Sequence, residues 1–188
     1  MTLHRAGKAV KVELAIYKDG KLDFKQKLKT FTNNFIKILE CLLRHATAGS
    51  IQQVELINTA GSSYYFMFQG VHDPSANQYL ANNTSGNDLP CEIQIGTDST
   101  PESRDDYALK NMVMSEEATS SIVDGSLKFS ATFTPGTDIT VREVGLVKQF
   151  KIIDTDVPTP ILLLRSVIAE YTMHAGTTYV VEITISFT

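Results

Sequence analysis

Residues 178–187, Thr178-Tyr179-Val180-Val181-Glu182-Ile183-Thr184-Ile185-Ser186-Phe187, alternate without a break. Tyr179, Val181, Ile183, Ile185 and Phe187 fall on one side of an extended chain, and Val180, Glu182, Thr184 and Ser186 on the other. A period of two is the pattern of a strand buried on one face, and it is commonest in antiparallel sheets. The same pattern recurs upstream. Leu127, Phe129, Ala131 and Phe133 show it before a Pro135-Gly136 turn. Val12, Leu14 and Ile16 show it again, followed by Lys18-Asp19-Gly20-Lys21 and by Leu22, Phe24 and Gln26, which together predict a β-hairpin.

Between these ends the sequence predicts short strands over 51–58, 64–68, 91–96, 111–115, 139–148 and 161–168. One segment breaks the series. After Thr32-Asn33-Asn34, the residues Phe35, Ile36, Ile38, Leu39, Leu42, Leu43 and Ala46 share one helical stripe, with Lys37, Glu40 and Arg44 opposite. An Asn N-cap, a Glu40–Arg44 pair one turn apart and Gly49 beyond the last turn complete the helix signal. Residues 70–90, rich in Asn, Ser, Asp, Gly and Pro, read as a long loop. The expected architecture is mainly β: an antiparallel sandwich of jelly-roll type with one amphipathic N-terminal helix. It forms a single domain over 1–188, with the hairpin and helix at 10–48 and a β-rich body at 50–188.

With 188 residues, 43% apolar and 20% charged, the chain is neither disordered, collagen-like nor an integral membrane protein. Its N-terminus lacks the apolar core of a signal peptide, and no run approaches the roughly 18 apolar residues of a membrane span. Charge is split along the chain. Residues 1–50 hold ten Lys/Arg against four Asp/Glu, and the remainder holds seven against seventeen. The basic quarter includes Lys25, Lys27 and Lys29 but lacks the clustered arginines and stacking aromatics of nucleic-acid sites, so an acidic protein neighbour or a solvated face is the better reading.

No catalytic pattern emerges. Gly-x-Ser-x-Gly is absent, and His4, His45, His72 and His174 each stand without a metal-type partner spacing. Cys41 and Cys91 read as small buried hydrophobes, and a disulfide between them stays open. Asp98, Glu102, Asp105 and Asp106 crowd one loop, but without the ligand spacing of a calcium loop they fit a turn held by side-chain caps. Nothing calls for a cofactor or a metal.

Several segments, taken in order, carry a resemblance. Asn33-Asn34-Phe35 opens the apolar helix, and Ile93-Gln94-Ile95-Gly96-Thr97-Asp98-Ser99-Thr100-Pro101 precedes Asp105-Asp106-Tyr107-Ala108-Leu109. Ile139-Thr140-Val141-Arg142-Glu143-Val144-Gly145-Leu146 is followed by Leu162-Leu163-Leu164-Arg165-Ser166-Val167-Ile168 and by the closing strand from Gly176 to Phe187. The whole resembles the small β-rich structural proteins of tailed phages and archaeal viruses. Residues 70–90 and 151–160 have no counterpart in that pattern.

The resemblance implies a non-enzymatic virion component, either capsid-associated (decoration, turret or penton-like) or a tail piece. Such a protein is assembled in the host cytoplasm and pairs with copies of itself and with other virion proteins. The expected subunit contacts are Ile161, Leu163 and Arg165, then Val181 and Ile183 of the closing strand, with Lys25, Lys27 and Lys29 meeting an acidic neighbour. A receptor- or carbohydrate-binding module using the 70–90 loop with Tyr64, Tyr65 and Tyr79 is the second reading. A small hydrolase built on His72 or His174 is the third.

Overall fold

The computed structural model describes residues 10–44, 52–68, 89–151 and 157–187. In chain order the elements are β1 (Val10–Lys18), β2 (Lys21–Leu28), α1 (Asn33–Arg44), β3 (Gln52–Ile57), β4 (Ser63–Phe68), β5 (Cys91–Gly96), β6 (Met112–Val123), β7 (Ser126–Phe133), β8 (Ile139–Lys151), β9 (Pro158–Met173) and β10 (Tyr179–Phe187). The protein is mainly β. Eight strands form one antiparallel sheet in the order β2-β1-β10-β7-β6-β5-β8-β9, and β3 and β4 form a separate hairpin.

Two Asp-Gly turns set the hairpins. Asp19 and Gly20 join β1 to β2, and Asp124 and Gly125 join β6 to β7, all four with positive φ. Two consecutive left-handed residues match the right-handed twist of the flanking strands. β6 then turns a corner: Met112 to Ala118 pair with β5, and Thr119 to Val123 pair with β7. The bend falls at Ala118, small and buried. The ladder therefore runs unbroken from one half of the sheet into the other, and the eight strands form a single curled antiparallel sheet.

The curl brings the two edge strands together through side chains. Gln26 of β2 donates through Nε2 to the Val167 carbonyl of β9 at 3.3 Å and accepts through Oε1 from the Ala169 amide at 2.8 Å. The Tyr171 hydroxyl donates to Asp23 Oδ2 at 2.6 Å, and its ring packs against Phe24. Inside the curl, Leu14, Ile16, Phe129, Phe133, Val181 and Ile183 pack with Ile93, Leu146, Ile161 and Leu163 in one core. Phe35 and Ile38 of α1 and Leu56 and Phe66 of the β3–β4 hairpin extend it.

The helix is not an N-terminal element, because β1 and β2 precede it. Its cap also differs from expectation. Thr32, not an asparagine, stands before the first turn: its Oγ1 accepts from the Phe35 amide at 3.4 Å and its carbonyl from the Ile36 amide at 3.2 Å. The same hydroxyl lies 2.8 and 3.1 Å from the carbonyls of Leu162 and Leu163, tying the helix start to β9. Asn34 is freed to pair with β3, donating to the Ile57 carbonyl and accepting from the Ile57 amide. Gly49 lies outside the described residues.

Candidate functional site

Two charged side chains, Glu143 in β8 and Arg165 in β9, are fully buried. An unpaired charge in a protein interior is prohibitively costly, so each must find a partner. They find each other: Arg165 Nε donates to Glu143 Oε2 at 2.8 Å, and both side chains are fully buried. Arg165 Nη1 reaches Asp106 Oδ2 at 2.9 Å, and Nη2 reaches the Thr100 carbonyl at 3.0 Å. Asp98 stands 3.6 Å from Nη2. Glu143 accepts in addition from the amides of Lys110 and Asn111, at 3.1 and 2.8 Å.

This network fastens residues 97–111 across the outer surface of β8 and β9. Two glycines make room for it. A Cβ at Gly96 would stand 2.6 Å from the Asn111 carbonyl, and one at Gly145 would collide with the Leu109 side chain, which packs with Val147 and Leu162 in a second small core. Asp98, Asp105 and Asp106 of the loop are spent on anchoring. Asp106 binds Lys110 Nζ at 2.8 Å and the Ser103 amide at 2.8 Å. Burial alone would raise its pKa, but Lys110, Ser103 and Arg165 together hold it below the ordinary value. Asp98 is also held low, first by the hydroxyl and amide of Thr100 and then by Arg165. Asp105 accepts from Asn33 Nδ2 at 2.7 Å. These carboxylates act as caps and ion-pair partners, and every acceptor in the buried network faces a donor.

Beside the anchored loop lies a cleft of about 270 Å³ lined by Asn33, Asn34, Ile36, Lys37, Ile57 and residues 104–107. The Tyr107 ring forms one wall and rests over Gly61 of the β3–β4 turn. Lys37 Nζ donates to the Glu55 carbonyl at 3.0 Å. The cleft holds no pairing of a nucleophile with a base. At the opposite end of β9, His174 Nδ1 sits 3.2 Å from Asp138 Oδ2, and Asp138 also accepts from the Ala175 amide. Both side chains are exposed, a turn clasp rather than a desolvated dyad.

The expected contact residues divide. Lys25, Lys27 and Lys29 are exposed. Ile161, Leu163, Val181 and Ile183 are buried in the core and Arg165 is 0% exposed, which corrects their assignment to a subunit surface. In β10 the two-residue period turns the apolar side chains inward, leaving Val180, Glu182 and Thr184 on the outer face. Tyr65 is 56% exposed and Tyr64 half-buried. Tyr79, His4, His45 and His72 lie outside the described residues, as does the side chain of Cys41; Cys91 is buried. The Glu143–Arg165–Asp106 network was missed as a unit, and its signal was Arg165, the one charge in the apolar run 161–168.

No helix among the described residues is long and apolar enough to cross a membrane. No family model, no curated protein and no solved structure matches the chain.

Proposed function

We propose that this chain is a non-enzymatic structural component of a virion, capsid-associated or part of a tail, that assembles symmetrically with copies of itself. In this reading the two halves of the curled sheet serve as the faces of a jelly-roll-like sandwich. One observation carries the assembly part. At the end of the β6–β7 hairpin, Ile122 is 79% exposed and Val123 49%. Two large apolar side chains exposed side by side at a strand tip are a ready surface for another chain.

The test is immunogold labelling of particles released by cells that express the chain, with antibody raised against the purified protein. Gold on the particles is expected. Label confined to the cells, with bare particles, would overturn the virion role.

One observation favours a second reading, a receptor- or carbohydrate-binding module: Tyr65 presents more than half its surface on β4, as a stacking platform does. Saturable binding on a glycan array, abolished by Tyr65→Ala, would select it.

A further inference from the structure

The outer face of the β1–β2 hairpin is basic. Lys25 and Lys27 of β2 and Lys11 of β1 are exposed on it, with Glu13, which pairs with Lys25 at 3.2 Å, standing across from Lys27. Lys27 has no ion pair among the described residues. The outer face of the β5–β6 pair is acidic. There Glu92 and Glu117 stand directly across the ladder from one another. Like charges at opposed positions of an antiparallel pair repel. Glu92 is satisfied by hydrogen bonds from Ser115 Oγ and Gln149 Nε2, both at 2.8 Å, but these donors are neutral. Glu117 is exposed, and no cation among the described residues offsets it.

The fold sets these faces on opposite sides of the molecule. In the order β2-β1-β10-β7-β6-β5-β8-β9, with β9 turned back against β2, the β2–β1 pair and the β6–β5 pair stand half a circuit apart. Their outward sides point in opposite directions. A surface on one side that complements a surface on the other, within the same chain, generates head-to-tail contacts, which build rings or open filaments. We infer that the basic β1–β2 face of one copy docks on the acidic β5–β6 face of the next, with Lys25 and Lys27 placed over Glu92 and Glu117. This rests on the proposed self-assembly and gives it a polarity. Complementary charge also fixes register and suppresses wrong pairings, which an apolar tip alone does not.

The test uses the full chain and two variants, K25E/K27E and E92Q/E117K, each checked for an unchanged circular dichroism spectrum. Sedimentation velocity is recorded at about 0.01 M and about 1 M salt, where the screening length is about 30 Å and about 3 Å respectively. The wild type is expected to associate at low salt and to lose mass at high salt. Each variant alone is expected to stay monomeric, and an equimolar mixture to co-associate, because each then offers the face that the other lacks. Variants that associate like the wild type, or a mixture that stays monomeric, would overturn the contact. A wild-type oligomer indifferent to salt and to both variants would remove this contact and leave self-assembly through the β6 tip standing, whereas a wild type monomeric in every condition would remove both.

Discussion

Arg165 and Glu143 sit on neighbouring strands with neither side chain exposed, joined at 2.8 Å between Nε and Oε2. The pair reaches beyond the sheet, because the remaining guanidinium nitrogens hold Asp106 and the Thr100 carbonyl and so fasten a loop some 60 residues away in sequence. Truncating one member of a buried ionic cluster leaves the others charged and unpaired. Arg165→Met is expected to cost about 3–5 kcal/mol in urea denaturation. The triple change Arg165→Met, Glu143→Leu and Asp106→Leu should cost less than the single one, because no orphaned charge remains. Equal or greater loss in the triple variant would show that the network contributes more than charge neutralisation.

Acid should release the same loop. Asp106 titrates below the ordinary aspartate value of 3.8 in the folded chain. A depressed folded pKa means that ionised Asp106 favours the fold at pH above 3.8, and that this contribution disappears as pH falls through the lower folded value. Denaturation midpoints measured from about pH 6 to about pH 2 should therefore fall more steeply for the wild type than for Asp106→Asn. Parallel curves would place the acid sensitivity elsewhere.

Gly145 is a packing requirement. Its φ is ordinary, but a methyl group there meets the Leu109 side chain and comes within 3.1 Å of Leu162. Gly145→Ala is expected to cost about 1–3 kcal/mol by overpacking. Adding Leu109→Ala should recover part of that loss by vacating the space. A double variant no better than the sum of the two singles would mean that the backbone, not Leu109, resists the methyl group.

Thr32 caps α1 and binds β9 through one oxygen. Thr32→Val keeps the volume and removes the hydroxyl, so about 0.5–2 kcal/mol should be lost, with faster amide exchange in the first turn of the helix. Asn33→Ala, which leaves the cap in place, should cost less.

The strands were legible because their residues carry the pattern alone. β5, β7 and β10 each bury one face, so alternation marks them within a residue of their observed ends. β6 was legible only over its first half. Residues 116–123, Glu-Glu-Ala-Thr-Ser-Ser-Ile-Val, bury little except Ala118, so no apolar period exists there. The Asp124-Gly125 turn beyond them was the available signal, the same dipeptide that marks the first hairpin. β9 gave the opposite difficulty. It is apolar on both faces because the core covers one and the 97–111 loop covers the other, and a uniform run does not say which side is which. For that reason Ile161, Leu163 and Arg165 read as surface contacts when they are interior. The curl of the sheet, set by Gln26, Asp23 and Tyr171 reaching across more than 140 positions, depends on pairings that no local window records.

The central claim is that this chain functions as an assembly of its own copies. Its most direct test is the mass of the purified protein by multi-angle light scattering across a concentration series at low salt. A fixed integral multiple of 20.8 kDa, stable on dilution, is the predicted result. A mass of 20.8 kDa at every concentration would contradict it.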